Sequence, residues 1–163
     1  MKLTQHFELD EFTRSATATA NGIDNSLNPT KAGDRNVIEN LQHLCQTVLE
    51  PLREFVNAPV VVSSGYRCSE LNKMVGGVRN SQHLTGEAAD IQPLFPAAPV
   101  PASFAGGSSL PQGEALKQWF LFIQQHCSFD QLILETKGNR RWIHVSCCRD
   151  EKRNRQTCLT KKL

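Results

Sequence analysis

Two short stretches of this chain carry side chains that could hold a metal ion. The run Ser81-Gln82-His83-Leu84-Thr85-Gly86-Glu87-Ala88-Ala89-Asp90 supplies an imidazole and a carboxylate, and Trp142-Ile143-His144-Val145-Ser146 supplies a second imidazole. A catalytic zinc takes three protein ligands and keeps a fourth position open for water. His83, Asp90 and His144 are therefore candidate ligands of one zinc ion. Each also has a plainer reading: a histidine in a strand is more often a hydrogen-bonded structural residue, and Asp90 could simply end a strand. A His/His/Asp set also suits several other divalent metals.

These residues must be positioned by strands. Side chains alternate across a strand, so Trp142, His144 and Ser146 share one face while Ile143 and Val145 point to the core. On the preceding apolar run Ile133 and Glu135 share a face, opposite Leu132 and Leu134. A hairpin through Lys137-Gly138-Asn139-Arg140 brings Glu135 and His144 to the same open side. A carboxylate beside an activated water is a candidate general base. His6, His43 and His126 lack such surroundings and read as ordinary surface or helix residues.

The rest of the chain supplies the frame. Residues 7–14 read as a short helix and 15–33 as a loop. Val37, Ile38, Leu41, Leu44, Cys45, Val48, Leu49, Leu52 and Phe55 form a helical stripe from Asp34, a plausible cap, to about Asn57. Pro51 should kink or end that helix. A strand over 58–63, a helix over 69–75 stopped by Gly76-Gly77, and a strand over 86–92 follow. Residues 93–113 are rich in Pro, Ala, Gly and Ser and read as an internal loop. A helix over 113–127 precedes strands at 129–136 and 141–147. The order predicts a single α+β domain over 1–148, with a small, mainly antiparallel sheet packed against helices. Residues 149–163 read as a basic C-terminal tail.

Composition bounds the function. The chain has 163 residues, 39% apolar and 21% charged, which suits one globular domain. No stretch is long and apolar enough to span a bilayer. The first residues lack the apolar core of a secretory signal, so a cytoplasmic location is expected. The six cysteines have no Cys-x-x-Cys pair and are expected to be reduced thiols. Net charge is +2, but Lys137, Arg140, Arg141, Arg149, Lys152, Arg153, Arg155, Lys161 and Lys162 crowd the end of the chain. Such a tail can attract nucleic acid or bacterial cell wall, or can be merely solvated. With Trp142 as its only aromatic residue, the segment gives little support to nucleic-acid binding.

Ser81-x-His83-x-x-Gly86-x-Ala88-x-Asp90, with Trp142-x-His144-x-Ser146, resembles the zinc D-alanyl-D-alanine carboxypeptidase family, which shares its fold with the Hedgehog signalling domain. Ser63-Ser64-Gly65-Tyr66-Arg67-Cys68-Ser69-Glu70-Leu71-Asn72 and Val48-Leu49-Glu50-Pro51-Leu52-Arg53 carry the same likeness, from about residue 5 to 147. The resemblance implies zinc on His83, Asp90 and His144, with Glu135 as catalytic base. Arg67 would hold a substrate carboxylate or the developing oxyanion, and Ser81 would support the His83 loop. It departs from one branch in having Arg141 three residues before the last ligand, where that branch carries its Glu. Trp142 stands where some members have a second His. The implied activity is hydrolysis of peptidoglycan stem peptides or crosslinks by a monomeric enzyme of phage-lysis type, reaching the wall after release. The competing class is a non-catalytic zinc-containing binding or phage structural module of the same fold.

Overall fold

The computed structural model describes residues 1–94 and 112–163. The loop expected over 93–113 falls, from 95 to 111, outside them. The helical stripe forms α3 (Ala32–Leu44), a π-helical turn (Cys45–Leu49) and α4 (Glu50–Val56). The wider turn ends two residues before Pro51. A proline ring crowds the carbonyl four residues back and offers no N–H, so the regular ladder cannot run through it. Expected as a kink or stop, Pro51 instead occupies the first turn of α4. Asp34 is not the cap of α3. Lys31 holds that position, and Asp34 lies in the first turn with Oδ2 accepting from Asn28 N at 2.8 Å. Leu41, Leu44, Leu49 and Leu52 are fully buried, each contributing about 1.5–3 kcal/mol of apolar burial.

Two short helices precede this segment, α1 (Leu9–Thr13) and α2 (Ala16–Ala20). The second lies where a loop was expected. Its Ala-Thr-Ala-Thr-Ala sequence has no apolar stripe, and only Ala18 is buried; Ser15 Oγ caps it by accepting from Ala18 N. Downstream come β1 (Val60–Ser64), α5 (Ser69–Met74), a 3₁₀ turn (Gln82–Thr85), β2 (Ala88–Pro93) and α6 (Gln112–His126). The hairpin forms as expected from β3 (Gln131–Lys137) and β4 (Arg140–Ser146).

The five strands make one sheet in the order β1-β2-β4-β3-β5, antiparallel except where β5 (Thr157–Lys162) pairs parallel to β3. One sheet face packs Ile91, Leu132, Ile143 and Val145 against the helices. This is the α+β domain expected, with a mainly antiparallel sheet and helices covering one face. All six cysteines are free. Among the described residues no helix is long and apolar enough to cross a membrane.

The segment expected as a basic tail is built into the domain. Arg149 reaches Glu39, Arg153 reaches Glu87, and Arg155 closes on Asp130 before β5 joins the sheet. Asp130 is 2% exposed and accepts from Arg155 Nε at 2.6 Å, Arg155 Nη2 at 2.8 Å and Gln82 Nε2 at 3.0 Å. The Arg155 hydrogen bonds hold the Asp130 carboxyl below the usual carboxylate range. A depressed folded-state pKa adds stability above the unfolded value of about 4, lost as pH falls through the folded pKa. Asp130→Asn is therefore expected to lose about 1–3 kcal/mol of stability at pH 7. Denaturant midpoints should show that difference shrinking below about pH 4.

Candidate metal centre

Register places the three candidate ligands. Asp90 on β2 pairs directly with His144 on β4. Ala89 and Ile91 point into the core beside Asp90, as Ile143 and Val145 do beside His144. Both ligand side chains therefore leave the sheet on its opposite face. His83 arrives from the 3₁₀ turn, where Ser81 Oγ accepts from His83 N at 3.4 Å. The turn ends at Gly86 with φ +72°, and a side chain there would meet Val37 O at 2.6 Å. Gly86→Ala is thus expected to lower stability by about 1–3 kcal/mol or more through backbone strain and overlap, read from the denaturant midpoint. Binding of a metal should weaken with it, because Gly86 sets the path from His83 to Asp90.

Gly65 fixes the His83 ring. Its carbonyl accepts from His83 Nδ1 at 2.6 Å. Its missing side chain is needed, since a Cβ would lie 2.6 Å from the backbone of Phe12. A ring with its proton on Nδ1 would present to a metal ion the lone pair of Nε2. That atom lies 3.3 Å from His144 Nδ1 and 3.4 Å from Asp90 Oδ1, and Asp90 Oδ1 lies 2.9 Å from His144 Nδ1. A tetrahedral zinc with bonds of about 2.0–2.1 Å needs donor separations of about 3.3–3.4 Å. The ligand atoms are already converged at that scale, and their types fit zinc. Asp90 is 9% exposed. Burial opposes its charge, yet the imidazoles of His83 and His144 hold its carboxyl well below the usual range.

Arg67 lies against the same group. Nη2 is 2.8 Å from Asp90 Oδ2 and 3.3 Å from His83 Nε2, while Nε donates to Ser64 Oγ at 2.9 Å. The β-bulge between Val62 and Ser64 turns Ser64 to this side. Asp90 therefore directs one oxygen to the imidazoles and the other to Arg67. Arg67 thus forms an ion pair with Asp90 and also lines the cleft.

The three candidate ligands line a cleft of about 990 Å³, together with Glu135, Trp142 and Arg67. Glu135 pairs with Trp142, and His144 pairs with Ile133. Glu135 and His144 are thus diagonal neighbours on one face, with such pairs about 7–8 Å apart at the backbone and within reach of long side chains. Trp142 Nε1 has no hydrogen-bond partner among the described residues. His6 and His43 lie elsewhere, on Glu50 and near Thr47. Ser146, expected on the ligand face, is fully buried, with Oγ accepting from Gln131 N. The Gly65 carbonyl and Ser64 hydroxyl escaped the sequence reading because a backbone acceptor and a bulge leave no side-chain pattern. Among the described residues no other group of three metal-ligating side chains converges in this way.

Residues 5–99 match the family described as Peptidase M15. That span holds Arg67, His83 and Asp90, and stops before Glu135 and His144. No curated protein matches the chain.

Proposed function

The chain belongs to the peptidase M15 family, and on that premise we propose that it is a zinc-dependent hydrolase of bacterial peptidoglycan peptides. It would act as a D,D-carboxypeptidase or endopeptidase, in the phage-type lysis role that the resemblance implies. M15 peptidases are in general zinc-dependent. The observation that carries the reading is the convergence of His83 Nε2, Asp90 Oδ1 and His144 Nδ1 beside Glu135 in one cleft.

His83, Asp90 and His144 would hold the zinc. When bound, such an ion polarises a carbonyl and lowers the pKa of water to about 7. Glu135 serves as general base, taking the proton from the attacking water and passing it to the leaving amine. Arg67 orients Asp90 through its Oδ2, and its guanidinium suits a substrate carboxylate or the developing oxyanion. Gly65 holds the His83 tautomer through the whole sequence.

Digestion of purified peptidoglycan tests this reading, with products identified by mass. Released stem-peptide fragments or D-alanine, abolished by a chelator and restored by zinc, are the expected result. Absence of products across several wall chemistries with zinc-loaded protein would overturn it in favour of a binding module.

A further inference from the structure

The cleft does not end at Glu135. The open sheet face continues through Lys137 and Arg140 at the hairpin and Lys161 on β5, all lining the same cleft. Lys137 pairs with Arg140 across β3 and β4, and Lys161 pairs with Glu135 across β3 and β5. All three are exposed, and none forms an ion pair among the described residues. Other cations of this basic segment behave differently: Arg149, Arg153 and Arg155 are each committed to a carboxylate. The acidic side chains lining the cleft among the described residues are Asp90, held by Arg67 and the imidazoles, and Glu135. One end of the cleft therefore presents concentrated, uncommitted positive charge.

Its distance from the reacting end follows from register. Lys161 lies two strands and two residues from His144, and Arg140 lies four residues from His144 along β4. With strands about 4.8 Å apart and about 3.4 Å per residue, both backbones sit about 12–14 Å from the ligand. An extended peptide covers that distance in about three or four residues.

We propose that Lys137, Arg140 and Lys161 form a specificity site for a carboxylate carried three or four residues from the cut bond. The substrate class is thus an acidic peptide lying across the sheet from β2 toward β5, and the proposal rests on the peptidase reading above. The site selects among peptides while the chemistry stays at the other end of the cleft. Three solvated cations steer and hold an anion through charge, so their effect depends on ionic strength.

The test uses synthetic stem peptides in which each carboxyl, up to four residues either side of the cut bond, is free or converted to a primary amide. With zinc-loaded protein, amidation three or four residues away is expected to lower kcat/KM about tenfold at low ionic strength, and less above about 0.15 M salt. In the Lys137→Ala/Arg140→Ala/Lys161→Ala variant the ratio between free and amidated peptide falls toward one. Lys152→Ala, which removes an exposed charge outside the cleft, keeps the ratio. Equilibrium binding of the same peptides to Glu135→Gln supplies a second readout that needs no turnover. There the free carboxylate is expected to bind more tightly, and the three added substitutions erase the difference. Hydrolysis of both peptide forms at equal kcat/KM overturns the specificity site and leaves the peptidase reading intact. No hydrolysis of any peptide defeats the peptidase reading, and the binding arm then decides the cationic site by itself: equal affinity for both forms overturns it.

Discussion

Zinc content is expected to fall from about one ion per chain to near zero in both His83→Ala and His144→Ala, with peptide hydrolysis falling to background. Each change removes one of three donors whose atoms lie within 4.8 Å of one another. Two remaining protein ligands do not hold zinc against water and buffer at ordinary concentrations. The fold should survive, because the main core of Leu41, Leu44, Leu52, Ile91 and Ile143 is formed without the site. The two variants should still differ in stability. His83 is 3% exposed and ties Gly65 O to the 3₁₀ turn, so its loss strands a buried carbonyl and costs about 1–3 kcal/mol. His144 makes no contact of that kind to a backbone carbonyl; its Nδ1 lies 2.9 Å from Asp90 Oδ1, on a carboxylate that Arg67 also holds. Elemental analysis reads the zinc, and circular dichroism with denaturant midpoints reads the fold. Full zinc retention in both variants would remove these residues from the site.

The sheet and its chemistry were legible to different depths. Strand alternation located the faces of β3 and β4, because Ile143 and Val145 had to enter the core and so turned His144 outward. The same argument put Glu135 on the cleft side, and register sets it diagonal to His144. Convergence of His83 with Asp90 could not be read from periodicity. It depends on a 3₁₀ turn, on Gly86 at φ +72° and on a backbone carbonyl at Gly65. The last fifteen residues were the largest misreading. Their charge resembled a solvated tail, yet Arg149, Arg153 and Arg155 find acids far back in the chain. Those contacts, together with a parallel crossover, carry β5 to the sheet edge. Parallel pairing to a distant strand leaves no local signature, so Lys161 could not be assigned to the cleft in advance.

Glu135→Gln is expected to lower the rate of peptide hydrolysis by about 10²–10⁴-fold while zinc content stays near one, the usual worth of a general acid–base group. The substitution keeps the size of the side chain and removes its charge and its ability to exchange a proton. Structure should change little, since Glu135 is half-buried and its side chain makes no hydrogen bond among the described residues. Its neighbours make the loss specific. Trp142, opposite Glu135 on β4, offers an indole N–H, which donates but cannot accept a proton at neutral pH. Lys161, opposite on β5, is a cation and no base either in its protonated form. Asp90 is committed to His144 and Arg67. No other carboxylate side chain lines the cleft among the described residues, so no neighbour is placed to substitute. Near-normal turnover in the variant would move the base outside this strand. Joint loss of zinc and turnover would make Glu135 a ligand. Retained zinc with a rate lowered in that range would fix the proton transfer on Glu135 and explain how the chain works with Arg141 where a related branch carries its Glu.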